Sequence, residues 1–120
     1  MFTDTLTISI NAVDKTLTRI NQDGYSSEYR LREDTGEYSL RIRHSSYVRA
    51  GSSIKVDRHN VELIHTVYGT EAGAPNVVRK TYTVFENDAG DSLADAENLV
   101  SGCVAFLTEA NIAKMLNWES

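Results

Sequence analysis

Cysteine and proline are nearly absent from this sequence, which has one residue of each. The single thiol, Cys103, excludes an internal disulfide framework and any metal site built from several cysteines. No apolar run approaches the ~18 residues that a membrane-spanning helix needs. The first residues also lack the positive region and apolar stretch of a secretory signal. We therefore expect one soluble intracellular domain, since 120 residues are too few for two.

Motifs of catalysis are missing as well. The sequence has no GxSxG elbow, phosphate-binding glycine loop, HExxH or paired-cysteine motif. His44, His59 and His65 are spaced unlike a compact zinc signature, and we interpret His44 as a hydrogen-bonded residue at a strand end. Cys103 falls on an apolar helical stripe, which predicts a buried thiol. We expect no enzyme, no catalytic residue, no metal ligand and no cofactor.

One acidic stretch leaves a metal question open. Four carboxylates lie within residues 86–95, close to Gly90. They could hold a divalent cation such as Ca²⁺ between subunits, but they lack the ordered spacing of an EF-hand. A solvated turn followed by a helix N-terminus is the simpler interpretation.

Charge is unevenly distributed along the chain. The net charge is −5, which at first argues against nucleic acid. Residues 1–80 nevertheless hold 11 Lys and Arg against 10 Asp and Glu, whereas residues 81–120 hold 1 against 7. Within residues 30–58 the count is 7 against 4. A basic middle and an acidic C-terminal third suggest two surfaces with different partners.

The hydrophobic period changes near residue 90. Alternation of polar and apolar residues predicts strands at 5–10, 16–20, 27–32, 37–45, 54–67 and 77–85, the first two forming a hairpin. Broken alternation at 57–60 predicts a bulge or bend. Helical spacing follows from Asp91, with Asp91 or Ser92 as the cap. Thr108 or Asn111 should interrupt it before a second helix.

Strands followed by helices predict an α+β fold with an antiparallel sheet. Two short helices cannot cover the wide apolar face of such a sheet in the same chain. A dimer, in which the helices of each subunit reach over the sheet of the other, would solve this problem.

The opposite sheet face has a composition suited to single-stranded RNA. Arg41 and Arg43 can neutralise phosphates, Ser45 can donate to phosphates or base edges, and Lys55 can lie on the next strand. Tyr82, close to Arg79 and Lys80 in sequence, offers a ring for base stacking. Exposed arginines and tyrosines are common on strands, so this pattern alone is weak.

Six segments that span nearly the whole chain carry a resemblance to a known family: residues 20–25, 27–29, 42–44, 57–62, 66–68 and 116–120. Taken in this order, they resemble the coat proteins of single-stranded RNA bacteriophages, most of all those of the Caulobacter RNA phages. The resemblance implies one coat-protein domain over residues 1–120. Its parts are a hairpin at 1–20, a five-stranded antiparallel sheet at 27–86 and two helices at 91–118. Two subunits would join their sheets into one ten-stranded sheet.

The resemblance also implies the function. Obligate homodimers would assemble into an icosahedral shell in the host bacterial cytoplasm and remain in the virion, with no membrane involved. The inner sheet face would bind genomic RNA, and translational repression is a further role that the family raises. Exposed loops around Gly51 and residues 73–75 are the candidates for contacts between dimers. The alternative is a non-viral dimeric α+β module that binds a ligand or a protein.

Family RNA contacts, carried over position by position, give the candidate RNA-binding residues. They are Ser39, Arg41, Arg43, Ser45, Lys55, Lys80 and Tyr82. Whether Lys55 faces the RNA depends on the register of its strand. A slip of one residue would turn Lys55 to the other face and bring Arg58 and Asn60 to the RNA face. Val84 and Glu86 follow Tyr82 on the same predicted face. We therefore expect binding driven mainly by the RNA backbone, with some stacking and a steep salt dependence.

Overall fold

The fold is an antiparallel sheet of six strands followed by two helices. A computed structural model describes all residues from Met1 to Ser120. The strands lie in chain order in one sheet: β1 Thr5–Ile10, β2 Val13–Gln22, β3 Ser26–Arg32, β4 Gly36–Val48, β5 Lys55–Val67 and β6 Val77–Asp88. The helices are α1 Leu93–Phe106 and α2 Glu109–Leu116. Every strand is joined to the next by a short connection, which suits antiparallel pairing.

The sheet curls so that the β1–β2 hairpin contacts the middle strands. Leu6, Ile8 and Ile10 of β1 pack against a buried cluster that includes Tyr38 and Leu40 of β4. Two strands separate β1 from β4 in the sheet order, so this contact requires strong curvature. We call the surface that carries the cluster the hairpin face.

A buried tyrosine anchors the N-terminal segment to this core. Tyr29 is fully buried, and its hydroxyl donates to the carbonyl of Thr3 at 2.8 Å. The guanidinium of Arg19 donates to the same hydroxyl at 2.8 Å and to the carboxylate of Asp4 at 2.9 Å. A buried hydroxyl needs such partners, because an unsatisfied one costs about 1–3 kcal/mol. This network holds the residues before β1 against β2.

The strand predictions are confirmed in number and order, with two corrections. The hairpin is continuous with the rest of the sheet, since β2 pairs with β3, so there is one six-stranded sheet and no separate five-stranded one. The bulge predicted at residues 57–60 is wrong, because all of β5 pairs with β4 without a register shift. The irregularity lies between Arg19 and Asn21 of β2.

The helix boundaries follow their caps. Ser92 caps α1 by accepting from the backbone N–H of Asp95 at 3.3 Å, and Thr108 caps α2 by accepting from that of Asn111 at 3.3 Å. Ser92 was one of the two predicted caps, and Thr108 was one of the two residues predicted to separate the helices. No residue of either helix is buried, although the apolar stripe of α1 predicted a buried face. The stripe is present, but its own sheet does not cover it.

The single chain is elongated and poorly packed. Its radius of gyration is 17.4 Å, against about 14 Å for a compact chain of this length. Only 8 of 120 residues are buried. No single helix is long and apolar enough to cross a membrane; the two helices together reach that length and composition only across a 67° bend.

Candidate nucleic-acid interface

Strand register places a set of polar side chains on one side of the sheet. Residues paired directly across antiparallel strands lie on the same face. Arg41 pairs with Glu62, which pairs with Tyr82, so β4, β5 and β6 present these three side chains together. We call this surface the arginine face. It consists of Ser39, Arg41, Arg43, Ser45, Arg58, Asn60, Glu62, Lys80 and Tyr82.

A largely buried carboxylate lies at the centre of the arginine face. The side chain of Glu62 is 9% exposed, and three cations surround it. The shortest ion pairs join Glu62 to Arg43 at 3.3 Å, to Lys80 at 3.8 Å and to Arg41 at 3.9 Å. One negative charge therefore holds three positive side chains in a cluster. Each cation is still about half exposed, so a phosphate can approach all three.

A second carboxylate extends this cluster towards β3. Glu28 lies 3.5 Å from the guanidinium of Arg41 and 3.7 Å from that of Arg30. Ser39 donates to the same carboxylate at 3.4 Å. Part of the positive charge of the face is thus neutralised within the chain. The face is densely charged and close to balanced, and it is not a uniformly basic patch.

Tyr82 provides the aromatic surface of the arginine face. It is 61% exposed, and the ammonium of Lys80 lies 5.8 Å from its ring centroid. A cation beside an open ring suits stacking of a base whose phosphate lies near the cation. Tyr47 extends the face at its far end, where its hydroxyl donates to Glu86 at 2.8 Å. That hydrogen bond to a carboxylate raises the pKa of Tyr47.

Six of the seven candidate RNA-binding residues lie on this one face. The exception is Lys55, which pairs with Val48 and so lies on the hairpin face with His44. The prediction that Lys55 shares the face of the arginines is wrong, because β5 pairs with β4 in the register that places Arg58 and Asn60 on that face. Arg58 pairs directly with Ser45.

The two glutamates of the cluster were missed from the sequence. Alternation along each strand does not show which residues of neighbouring strands share a face. Only the pairing of β3 and β5 with β4 places Glu28 and Glu62 beside Arg41. The side-chain oxygen of Asn60 is also buried beside this cluster without a hydrogen-bond partner.

Other candidate residues can now be located. His44 lies within β4 on the hairpin face, so its predicted position at a strand end is wrong. Its Nδ1 atom is 2.9 Å from Nδ1 of His59, which confirms that it is hydrogen-bonded. The prediction that the thiol of Cys103 is buried is wrong, because Cys103 is exposed on the apolar stripe of α1, which the sheet does not cover. No group of three or more His, Cys, Asp or Glu side chains is arranged to hold a metal ion.

The two candidate loops lie at opposite ends of β5. The β4–β5 connection contains Gly51 at φ 75°, and the β5–β6 connection contains Gly73 at φ 82°. Both glycines adopt left-handed conformations that side chains disfavour. Apart from half-buried Tyr68, every residue of the two loops is exposed.

Comparison with known families identifies the family of this chain. The family model described as phage phiCb5 coat protein matches residues 3–88, which include all six strands. This chain belongs to the phage phiCb5 coat protein family. No curated protein matches it closely enough to add a relative.

Family membership confirms the resemblance seen in the sequence and gives the chain a structural role in the phage capsid. A coat protein is a component of the virion and not an enzyme. The alternative of a non-viral binding module is therefore set aside. The matched residues end at Asp88, so α1 and α2 lie outside the matched part of the coat protein.

Proposed function

We propose that this coat protein forms homodimers, that dimers assemble into an icosahedral shell, and that the arginine face binds single-stranded genomic RNA inside it. The observation that carries the RNA proposal is the sidedness of the sheet. The hairpin face carries the apolar cluster, whereas the arginine face gathers four cations and an exposed aromatic ring on three adjacent strands.

The dimer is supported by uncovered apolar surface. Leu99 and Leu116 are 75% and 76% exposed, although both belong to apolar helical stripes. An open groove of about 600 Å³ lies between β6 and α1, where Phe85 faces Val100 and Cys103. Surfaces of this kind in a soluble chain mark sites of association. The edge of β6 is also unpaired and 12 residues long, so a second copy can extend the sheet there.

RNA binding of this kind depends on phosphate contacts. Arg41, Arg43, Arg58 and Lys80 are the cations of the central strands, so each subunit has about four that can replace counterions. The logarithm of the affinity for single-stranded RNA should then fall linearly with the logarithm of the salt concentration. The slope is about −0.7 per phosphate contact, or about −3 for each subunit. Because Glu62 competes for three of these cations, the observed slope should be shallower. Stacking on Tyr82 would add affinity that depends little on sequence.

The first experiment is electron microscopy of the purified recombinant protein, together with its absorbance ratio at 260 and 280 nm. Uniform closed shells rich in nucleic acid are expected. Dimers that never form particles would contradict the shell, and particles free of nucleic acid at low salt would contradict RNA packaging.

Paired variants test the face that binds RNA. Arg41→Ala with Arg43→Ala should lower the RNA content of particles and make the salt slope less steep. Lys80→Ala should act in the same direction, whereas Arg79→Ala is the matched control, because Arg79 is the neighbouring residue on the hairpin face. Equal effects of Lys80→Ala and Arg79→Ala would show that the arginine face is not the RNA surface.

A further inference from the structure

The single tryptophan of this chain has an unusual backbone conformation. Trp118 follows α2 with φ 64°, in the left-handed region. Its N–H donates to the carbonyl of Met115 at 3.0 Å, and the N–H of Glu119 donates to that of Lys114 at 3.0 Å. These two bonds form a Schellman motif, in which the residue at the position of Trp118 is usually glycine.

Tryptophan is a poor residue for this position. The left-handed conformation brings Cβ close to the following carbonyl oxygen, which disfavours a non-glycine residue by a factor of about five to thirty. Within its own chain Trp118 gains almost nothing in return, because its side chain is 95% exposed. An exposed aromatic ring on a strained backbone is explained when the ring is buried in another molecule.

We propose that Trp118 is an anchor that is buried against a second copy of this chain within the coat-protein dimer. The inference rests on the dimer proposed above. Trp118 adjoins Met115 and Leu116, which are also exposed, so it extends the same uncovered surface of α2. Tryptophan is one of the three residue types enriched among those that dominate binding energy at interfaces. A coat protein also meets copies of itself at high local concentration.

Intrinsic fluorescence reports on this residue alone, since the chain has one tryptophan. Acrylamide quenching should be strongly reduced in isolated dimers, and equally reduced in shells, relative to the unfolded chain. Quenching in dimers and shells as efficient as in the unfolded chain would overturn the proposal. Protection that appears only in shells would overturn the placement within the dimer.

Two substitutions separate an anchor from a simple helix cap. Trp118→Gly removes the strain as well as the ring, so a capping role predicts association that is unchanged or improved. An anchor predicts the opposite, a dimer dissociation constant raised by at least about thirtyfold. Trp118→Phe keeps an aromatic ring at the same backbone position and should retain most of the affinity. Circular dichroism checks that both variants keep their strands and helices.

The result for the wild-type chain distinguishes the two proposals. Stable dimers in which Trp118 is accessible would contradict the anchor and leave the dimer intact. A wild-type chain that remains monomeric would contradict both. Trp118→Gly dimers as tight as those of the wild type would contradict the anchor alone.

Discussion

Ala12 occupies a backbone conformation that suits glycine better. Asn11 and Ala12 form the two-residue β1–β2 turn, with φ 53° and 61°, and the paired residues Ile10 and Val13 flank it. Two positive φ angles define a type I′ turn, for which Asn-Gly is the favoured sequence. Notably, the sequence placed the start of the second strand at residue 16, because Asn-Ala is not a recognised turn signal.

Ala12→Gly should therefore stabilise the protein. Removing the left-handed penalty of about 1–2 kcal/mol, less about 0.5–1 kcal/mol for the greater freedom of glycine in the unfolded chain, leaves a gain of about 1 kcal/mol. Urea denaturation at one fixed protein concentration measures it. Ala72→Gly is the control, since Ala72 is an exposed loop residue without positive φ and its replacement should bring no gain.

Asp23 makes the β2–β3 turn sensitive to acid. Its carboxylate accepts from the backbone N–H groups of Tyr25 at 2.8 Å and Ser26 at 2.7 Å, and from the Ser26 hydroxyl at 2.9 Å. These bonds, first that from Tyr25, hold the pKa of Asp23 below its ordinary value of 3.8. The unfolded chain therefore takes up the proton more readily, so the stabilisation is present above that value and is lost as pH falls through the lower folded pKa.

Asp23→Asn tests this linkage. Asparagine can accept both backbone hydrogen bonds but does not titrate, so the variant should lose less stability than the wild type on acidification. Denaturant midpoints of the two proteins at neutral pH and below pH 3.8 measure the difference. An identical acid response of both proteins would show that Asp23 does not contribute.

Glu62 restrains the cations that surround it. Glu62→Gln should free Arg41, Arg43 and Lys80, raise the affinity for any single-stranded RNA and make the logarithmic salt slope steeper by about 0.7 for each additional phosphate contact. Filter binding over a range of salt concentrations measures both effects. Glu71→Gln, in the exposed β5–β6 loop, removes the same charge away from the arginine face. If both variants raise affinity equally, net charge explains the effect and Glu62 has no special role.

The helices show that sequence periodicity predicts where a helix forms but not whether its apolar side is buried. The apolar stripe of α1 and both helix caps are visible in the sequence, because spacing and cap chemistry are local properties. Burial is not local, since it depends on what faces the stripe. Leu99 and Cys103 are exposed because no other part of the chain covers the stripe, which is why the predicted burial of Cys103 fails.

The strands show the same limit in another form. Alternation identified all six and placed Ser39, Arg41, Arg43 and Ser45 on one face. Alternation could not show which face Lys55 occupies, because the register of β5 depends on its pairing with β4 and β6. The paired glutamates were also missed, since a salt bridge between strands is a property of register.

Association through α1 can be tested with one charge. Leu99→Lys should prevent dimer formation, because a lysine would be buried in an apolar interface, while the single chain loses little where Leu99 is already exposed. Asn98→Lys adds the same charge at the preceding residue of α1 and should leave dimer formation unchanged. Sedimentation of both variants at equal concentration gives the result. Dimers of unchanged stability in Leu99→Lys would exclude α1 from the interface.

Charge sets the behaviour of the whole molecule. Each subunit carries a net charge of −5, so subunits repel one another when they are brought together. The RNA that we propose to bind the arginine face would not reduce that charge, but it would hold the subunits together. Salt reduces the repulsion directly, because the screening length falls from about 10 Å at 0.1 M to about 3 Å at 1 M.

Protein freed of nucleic acid should therefore assemble only at raised ionic strength. Light scattering during stepwise addition of NaCl measures the threshold, and RNA added at low salt should replace the need for NaCl. Assembly of the RNA-free protein that is independent of salt would show that repulsion between subunits is not limiting.

The small core has a consequence for the life of the chain in a cell. With 8 of 120 residues buried, a lone copy has little to protect it from transient opening, and proteases cut opened chains. We expect newly made copies to be short-lived until they meet one another. Synthesis would then have to outpace degradation before any particle forms, so the timing of particle production would depend on the rate of translation.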